Sequence, residues 1–232
     1  MGGPMSSAFY IAGAHTDVGK TYVACALLRA ARARGLTVDA FKPVVSGIDP
    51  DDWADSDPAR LLDAMGRERT QAALEAISPW RFGAPLSPPM AAKLEGRQLP
   101  LGPVIEAAQA FLTSSKADLA LLESVGGVMS PIADRATGLE LMLAAPLPVI
   151  LVGGGYLGGI SHSLTALEVL RQRGLPVAAF VISQVEAADA PDFAETVALT
   201  RSFSGDTPVI SAPRGAPGSW PEALLGAVSA KA

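Results

Sequence analysis

Short runs of apolar residues alternate along the chain with longer stretches in which apolar positions recur at helical spacing. The short runs predict strands at residues 8–13, 37–45, 118–127, 147–155, 175–183 and 207–210. The longer stretches predict helices from Gly19 to about Arg34 and over residues 56–66, 103–115, 160–173, 191–203 and 220–230. The strands are almost continuously apolar, which is typical of strands covered on both faces.

This alternation of strand and helix predicts an α/β fold with a mostly parallel central sheet and helices on both faces. Residues 46–100 are rich in Pro, Asp and Gly, so we expect loops and short helices there. No repeat or linker divides the chain. We therefore expect a single domain over residues 8–232, preceded by a ragged or cloning-derived segment at residues 1–7.

Glycine-rich and polar segments directly follow several predicted strands. They cover residues 13–21, 42–47, 123–127 and 153–163. Because ligands of open parallel sheets bind beyond the carboxyl ends of the strands, we expect these segments to form one functional site.

Composition narrows the classes of function. Hydrophobic residues make up 49% of the chain and the net charge is −5, which gives no electrostatic footprint for nucleic acid or an anionic membrane. Cys25 is the only cysteine, so neither an internal disulfide nor a cysteine-based metal site is expected. No basic region with an apolar run opens the chain, and we expect a cytoplasmic protein.

The segment GAHTDVGKT, residues 13–21, is close to a Walker A loop but has five residues between Gly13 and Gly19 instead of the usual four. Such a loop and the helix start behind it form an anion site from backbone N–H groups and the helix dipole. Lys20 is expected to bind the β- and γ-phosphates, and the Thr21 hydroxyl to bind Mg²⁺. His15 stands where partition-type switch ATPases carry a second lysine, which argues against that class.

Three further residues suit phosphoryl transfer. Lys42 ends the second predicted strand and faces the P-loop across the crevice, where it would stabilise charge on a transferred phosphoryl group. Mg²⁺ requires carboxylates beside Thr21. Asp57 begins a predicted helix and Glu123 ends an apolar strand, where a buried acid needs a positive partner, so both are candidate metal ligands.

These motifs resemble, in order and spacing, those of the ATP-dependent dethiobiotin synthetases, a P-loop NTPase-like family. The matching segments are GAHTDVGKT, FKPVVSG, SDPARL, SPWRFGAPLSPPMAAKLEG, ESVGG and LVGGGYLGGISH. The resemblance implies an enzyme that closes a cyclic urea on 7,8-diaminopelargonate with CO₂ and ATP, through a carbamate and a carbamic–phosphoric anhydride.

The resemblance also implies roles for individual residues. Lys20 and Lys42 would be catalytic, and Thr21, Asp57 and Glu123 would hold Mg²⁺. The diamine would be bound by Thr16, Ser46, Gly158, Gly159 and Ser161, the last three from a loop that reaches into the neighbouring subunit of a homodimer. ATP would be bound by Asp17, Val18, Gly19, Lys20, Thr21, Tyr22, Asp57, Glu123, Ser124, Val125, Gly126, Ser183, Gln184, Pro213, Arg214 and Gly215, with the last three on the side of the base.

The chain departs from the family pattern at the base end. Ser183 and Gln184 stand where the family often has Asn-Asp, whose amide reads adenine, and Ser124 and Val125 replace Gly-Ala. Two alternatives stay open at this point: a P-loop amidase-type ligase of the cobyrinate class, and an ATP-gated dimeric switch protein.

Overall fold

The computed structural model describes residues 7–49, 51–187, 189–215 and 218–230. The strands are β1 (Ser7–Gly13), β2 (Val38–Phe41), β3 (Val44–Ser46), β4 (Trp80–Phe82), β5 (Leu119–Glu123), β6 (Pro131–Ala133), β7 (Ala136–Thr137), β8 (Val149–Gly154), β9 (Val177–Ser183) and β10 (Val209–Ala212). The helices are α1 (Lys20–Ala33), α2 (Asp57–Met65), α3 (Gln71–Ile77), α4 (Pro88–Leu94), α5 (Leu101–Ser114), α6 (Gly138–Ala144), α7 (Gly159–Gln172), α8 (Phe193–Phe203) and α9 (Trp220–Ser229).

Six of these strands form the central sheet in the order β10-β9-β8-β1-β5-β2, and every pairing in it is parallel. Side chains of β1 alternate between two separate cores. Phe9 and Ile11 pack with residues of α1, α2 and α9, whereas Tyr10 and Ala12 pack with residues of α5, α6, α7 and α8. The predicted parallel sheet with helices on both faces is therefore confirmed.

Several strands and helices begin or end a few residues away from the bounds predicted from the sequence pattern. Ser7 already belongs to β1, and residues 1–6 lie outside the described residues. The strand predicted at 118–127 ends at Glu123, since Gly126 adopts a positive φ of 65°. The last strand covers Val209–Ala212 rather than 207–210, and α5 begins at Leu101 rather than 103.

The prediction of one continuous strand over 37–45 is wrong, because the strand is interrupted at Lys42 and Pro43. The N–H of Lys42 donates to the carbonyl of Ile77 at 2.9 Å, which takes it out of the sheet ladder. Pro43 has no N–H to continue the ladder. The chain resumes as β3, which pairs with β4 in a separate two-stranded sheet.

Residues 46–100 contain α2, α3, α4 and β4 between their loops, in agreement with the short helices expected there. The small antiparallel sheet of β6 and β7, and α6 behind it, were not predicted. No helix among the described residues is both long and apolar enough to cross a bilayer.

Candidate active site

The P-loop turns between β1 and α1 at the carboxyl edge of the sheet. A Cβ on Gly13 would lie 2.9 Å from the carbonyl oxygens of His15 and Gly126, so the loop closes only around a glycine. Gly19 caps α1 with a φ of 91°, a conformation that L side chains rarely adopt. The backbone N–H groups at this helix start are free to bind an anion, as the sequence predicts.

Lys20 and Thr21 form the first turn of α1, and each is only 7% exposed. Burial, and next the charge of Lys42, lowers the pKa of Lys20 to about 8. The first turn of α1 contains no acidic residue that would neutralise this cation. The helix start is thus electrostatically suited to a phosphate group.

A buried cluster joins Lys42 to the two candidate metal ligands. Lys42 is 2% exposed, its Nζ lies 2.7 Å from Glu123 Oε1, and it also donates to Asp57 Oδ2. The hydroxyl of Thr21 donates to the same Glu123 oxygen at 2.6 Å. The structure therefore brings together four of the five residues that the sequence assigned to phosphoryl transfer and Mg²⁺ binding.

The charges in this cluster stabilise one another. Burial alone would lower the pKa of Lys42, but the carboxylates of Glu123 and Asp57 outweigh it and hold the pKa above its ordinary value. Burial would raise the pKa of Asp57, but Lys42, and then Thr21 and Lys20, keep it below its usual range. Lys42 and Asp57 are consequently both charged at neutral pH.

The cluster also fits a hard divalent cation. Glu123 Oε2 is buried and has no hydrogen-bond partner among the described residues. No group of three or more His, Cys, Asp or Glu side chains suited to a metal occurs in that part of the chain. Two carboxylates and the Thr21 hydroxyl nevertheless supply oxygen ligands, and Mg²⁺ typically completes its shell with phosphate and water.

Two cavities adjoin at this site. The first, which we call the P-loop cavity, has a volume of about 180 Å³ and is lined by Asp17, Gly19, Lys20, Thr21, Tyr22, Asp57, Arg60 and Arg214. The second, the Ser46 cavity, measures about 460 Å³ and is lined by Thr16, Asp17, Ser46, Pro85, Leu86, Ser87, Pro88, Val125, Gly126, Ser130 and Pro131. Asp17 lines both cavities, so a ligand in one lies beside a ligand in the other.

The predicted diamine ligands fall into two separate groups. Thr16 and Ser46 line the Ser46 cavity, and the Ser46 hydroxyl donates to the carbonyl of Leu86 at 2.6 Å. Gly158, Gly159 and Ser161 form the start of α7, and no α7 residue is among the described residues that line this cavity. Among the described residues of one chain, Gly158, Gly159 and Ser161 therefore do not line the cavity that contains Thr16 and Ser46.

At the predicted base end, Ser183 is fully buried. A Cβ on Gly19 would lie 2.6 Å from Ser183 Oγ, which places this hydroxyl under the P-loop. Gln184 Oε1 accepts the N–H of Arg214 at 3.0 Å, and the Pro213 carbonyl accepts the Tyr22 hydroxyl at 2.6 Å.

The loop after β5 carries the remaining predicted nucleotide ligands. Ser124 is fully buried and donates to the carbonyl of Ile11, Val125 and Gly126 line the Ser46 cavity, and Val18 is buried in the core. Gly215 is exposed. Contact of any of these residues with a nucleotide stays a prediction.

Sequence reasoning missed several features of the site. Arg60 lines the P-loop cavity, although its position three residues after Asp57, on the same helix face, was a usable signal. Leu86, Pro88 and Pro131 form an apolar wall that no local pattern marks. His15 and His162 stack with ring centroids 5.4 Å apart, a contact between residues distant in sequence.

Solved structures with this fold are P-loop proteins. The cell-division ATPase MinD of Pyrococcus furiosus matches with a TM-score of 0.53 at 13% identity, covering 98% of this chain and 100% of that chain. The hydrogenase maturation factor HypB of Archaeoglobus fulgidus matches with a TM-score of 0.53 at 15% identity, covering 96% of this chain and 90% of that chain. At such low identity these likenesses establish the fold, and the predicted P-loop NTPase-like architecture is confirmed.

Comparison with related sequences identifies the family, which the structural likeness alone does not. A family model described as an AAA domain matches residues 7–212. An ATP-dependent dethiobiotin synthetase BioD from Phenylobacterium zucineum (strain HLK1) is 55% identical over 225 residues, covering 97% of this chain and 96% of that protein. Proteins with the same name from Caulobacter vibrioides (strain NA1000 / CB15N) and Methylobacterium nodulans are 54% and 43% identical, covering 91% and 97% of this chain and 93% and 100% of their own lengths. The chain therefore belongs to the family of ATP-dependent dethiobiotin synthetases, which are ligases.

Proposed function

We propose that this protein converts 7,8-diaminopelargonate, CO₂ and ATP into dethiobiotin, ADP and phosphate. One observation carries the proposal: the P-loop cavity and the Ser46 cavity share Asp17 as a wall. A γ-phosphoryl group held by Lys20 would then lie beside a substrate that contacts Thr16 and Ser46. Neither an amidase-type ligase nor a switch protein is favoured by the names of the relatives.

The reaction needs three steps. One amine adds to CO₂ and loses a proton, which gives a carbamate. A carbamate oxygen attacks the γ-phosphorus, so that ADP leaves and a carbamic–phosphoric anhydride forms. The second amine attacks the carbamate carbon, the bond from carbon to the phosphate oxygen breaks, and phosphate and a proton are released as the ring closes.

Lys20 and Lys42 provide the positive charge that these steps need. A carbamate readily reverts to amine and CO₂, and a cationic pocket that binds the carbamate in preference to the amine shifts this equilibrium. The same charges stabilise the transferring phosphoryl group, where positioning and electrostatics supply most of the catalysis. Thr21, Asp57 and Glu123 would hold Mg²⁺, which would offset phosphate charge when bound.

The Ser46 cavity suits the diamine. Leu86, Pro88 and Pro131 offer an apolar wall for an alkyl chain, while the hydroxyls of Thr16 and Ser46 are polar groups near the phosphoryl end. A ligand with a polar diamine end and an aliphatic tail would match this lining.

A homodimer would complete the diamine site. The N–H of Gly158 and those of the first turn of α7 would bind the carboxylate of a diamine held by the partner subunit, whereas the N–H of Gly159 already donates to the Tyr156 carbonyl at 2.8 Å. These residues are not among the described residues that line the Ser46 cavity of their own chain, and Leu157 beside them is 80% exposed; both observations support this arrangement. Light scattering at assay concentration should show a dimer, and an active monomer would contradict it. The cytoplasmic location likewise stays a prediction.

An omission assay tests the proposed function. ATP hydrolysis and dethiobiotin formation are measured with Mg²⁺, diamine and bicarbonate, and with each left out in turn. Phosphate release should require all three and equal the dethiobiotin formed. Phosphate release at the same rate with and without the diamine would indicate an ATPase of another kind and would overturn the proposal.

A further inference from the structure

Two arginines line the P-loop cavity beside Lys20. Arg60 comes from α2, and Arg214 comes from the segment between β10 and α9. The resemblance placed Arg214 on the side of the base and gave Arg60 no role. Their positions in the structure lead to a different assignment.

The backbone and side chain of Arg214 are both held in place. Its N–H donates to Gln184 Oε1 at 3.0 Å, and its Nε donates to the Gln184 carbonyl at 2.9 Å. The guanidinium carbon lies 4.3 Å from the centre of the Tyr22 ring, in a cation–π contact. These contacts use Nε and one face of the guanidinium, and leave the terminal nitrogens without a hydrogen-bond partner in the described part of the chain.

One terminal nitrogen of Arg214, Nη2, lies against the P-loop. A Cβ on Gly19 would lie 3.0 Å from Arg214 Nη2, so this nitrogen approaches the loop closely where Gly19 leaves room. Gly19 caps the helix whose first turn carries Lys20. Arg214 therefore presents unpaired donors at the position where the P-loop binds phosphate.

Arg60 lies on the same face of α2 as Asp57, one helical turn further on. Its side chain is exposed and forms no ion pair or hydrogen bond with the described residues. The two acids three residues away on α2 are already paired, Asp57 with Lys42 and Asp63 with Arg69. Arg60 is thus a second cation at this cavity without an acidic partner.

Three cations, Lys20, Arg60 and Arg214, consequently line this cavity. Among the described residues that line it, Asp17 is the acid without an ion pair or hydrogen bond. We propose that Arg214 and Arg60 bind the phosphate chain of the nucleotide, adding two guanidinium groups to Lys20 and the loop amides. This inference rests on the proposed function, since it takes ATP as the ligand of the P-loop. The neutral base contributes no charge that would compensate these arginines.

Equilibrium binding to Arg214→Gln and Arg60→Gln tests the assignment with ATP, ADP and adenosine as probes. A charge-assisted hydrogen bond in a partly buried site implies that Arg214→Gln raises the dissociation constant for ATP by ~10- to 100-fold. Arg60→Gln, which is exposed, should raise it by ~2- to 10-fold. Adenosine should bind both variants within about twofold of wild type, because it lacks phosphate.

Arg214→Lys and Arg34→Gln serve as controls. Lysine keeps the charge and should recover part of the ATP affinity, while Arg34 caps the far end of α1 and its change should have no effect. In steady-state assays Arg214→Gln should raise the KM for ATP and leave the KM for the diamine unchanged. Equal losses for ATP and adenosine would assign Arg214 to the base, and unchanged ATP affinity would assign it a structural role. Either result overturns the inference, whereas a wild type that fails to bind ATP would overturn the proposed function.

Discussion

Lys42 Nζ lies 2.7 Å from Glu123 Oε1, so the lysine directly after β2 and the acid that ends β5 are joined inside the site. Asp57 shares the same lysine. A divalent cation bound by Glu123 and Asp57 would compete with Lys42 for the negative charge of these two carboxylates. Metal binding and a shift of Lys42 toward the substrate are therefore expected to occur together.

Replacing Lys42 tests this coupling. Lys42→Met should lower kcat by ~10²- to 10³-fold, because a charge-stabilising donor is lost from a dry site. Without metal it should also lower the free energy of unfolding by ~3–5 kcal/mol, since Glu123 keeps a buried charge without a cation. Mg²⁺ with ADP should raise the melting temperature of this variant by more than that of wild type.

Thermal melts with and without Mg²⁺ and ADP measure this effect, and Lys93→Met on the exposed part of α4 is the matched control. Equal metal-dependent shifts in Lys42→Met and wild type would show that the lysine does not compete with the cation. Wild-type turnover by Lys42→Met would remove this residue from the mechanism.

Nucleotide affinity should depend on pH through Lys20. Its pKa of about 8 means that the lysine is protonated and ready to bind phosphate below pH 8. Above pH 8 binding must take up a proton, so ATP affinity should fall by about tenfold per pH unit. Calorimetry in buffers of different ionisation enthalpy should detect the proton uptake, and affinity that is constant from pH 7 to 9.5 would contradict it.

The same shift affects stability with a definite sign. The pKa of Lys20 is lowered from 10.5 in the unfolded chain, so the native state releases a proton that the unfolded chain retains between about pH 8 and 10.5. Stability from this group therefore rises with pH across that window. Below pH 8 its destabilising effect is fully present, and bound phosphate should remove it.

Substitutions at two glycines distinguish the effect of backbone strain from the effect of a steric clash. Gly19 and Gly35 both have positive φ, 91° and 78°, but only Gly19 has atoms where a Cβ would be placed. Gly35→Ala should cost ~1–2 kcal/mol of stability and leave the KM for ATP unchanged. Gly19→Ala should cost more and also weaken ATP binding, because Ser183 and Arg214 must move. Chemical denaturation and ATP titration measure both effects, and equal behaviour of the two variants would refute the close packing under the P-loop.

Base selectivity should be modest. Ser183 is buried under Gly19 and Gln184 Oε1 is engaged by Arg214, so neither offers adenine a free bidentate amide. CTP, GTP and UTP should support turnover within ~10- to 100-fold of ATP in kcat/KM, as expected when one bidentate contact is missing. Parallel assays with the four nucleotides check this, and a preference for ATP of a thousandfold or more would show that the base is read by other groups.

The sequence predicted the main sheet and the phosphate end of the site because both depend on local patterns. Apolar runs mark β1, β5, β8 and β9, and the glycines, Lys20 and Thr21 mark the loop. Parallel strands bring Lys42 and Glu123 to the same edge, so their approach followed from topology.

Other features depend on contacts between distant segments, which no local pattern records. The interruption of the strand at Lys42 depends on a hydrogen bond to Ile77. The apolar wall of the Ser46 cavity requires Leu86 and Pro131 to meet, and the position of the Arg214 side chain depends on its contact with Tyr22. In each case the partner is supplied by another part of the chain, and only the folded structure identifies it.

The central claim is that the γ-phosphoryl group passes to a carbamate, and the fate of one oxygen atom tests it most directly. CO₂ labelled with heavy oxygen is supplied with diamine and ATP, and the reaction is quenched before CO₂ exchanges oxygen with water. Because the carbamate oxygen that attacks phosphorus leaves with the phosphate, mass spectrometry should find one labelled oxygen in each phosphate released. Phosphate that takes its new oxygen from water would show direct hydrolysis of ATP and would contradict the account.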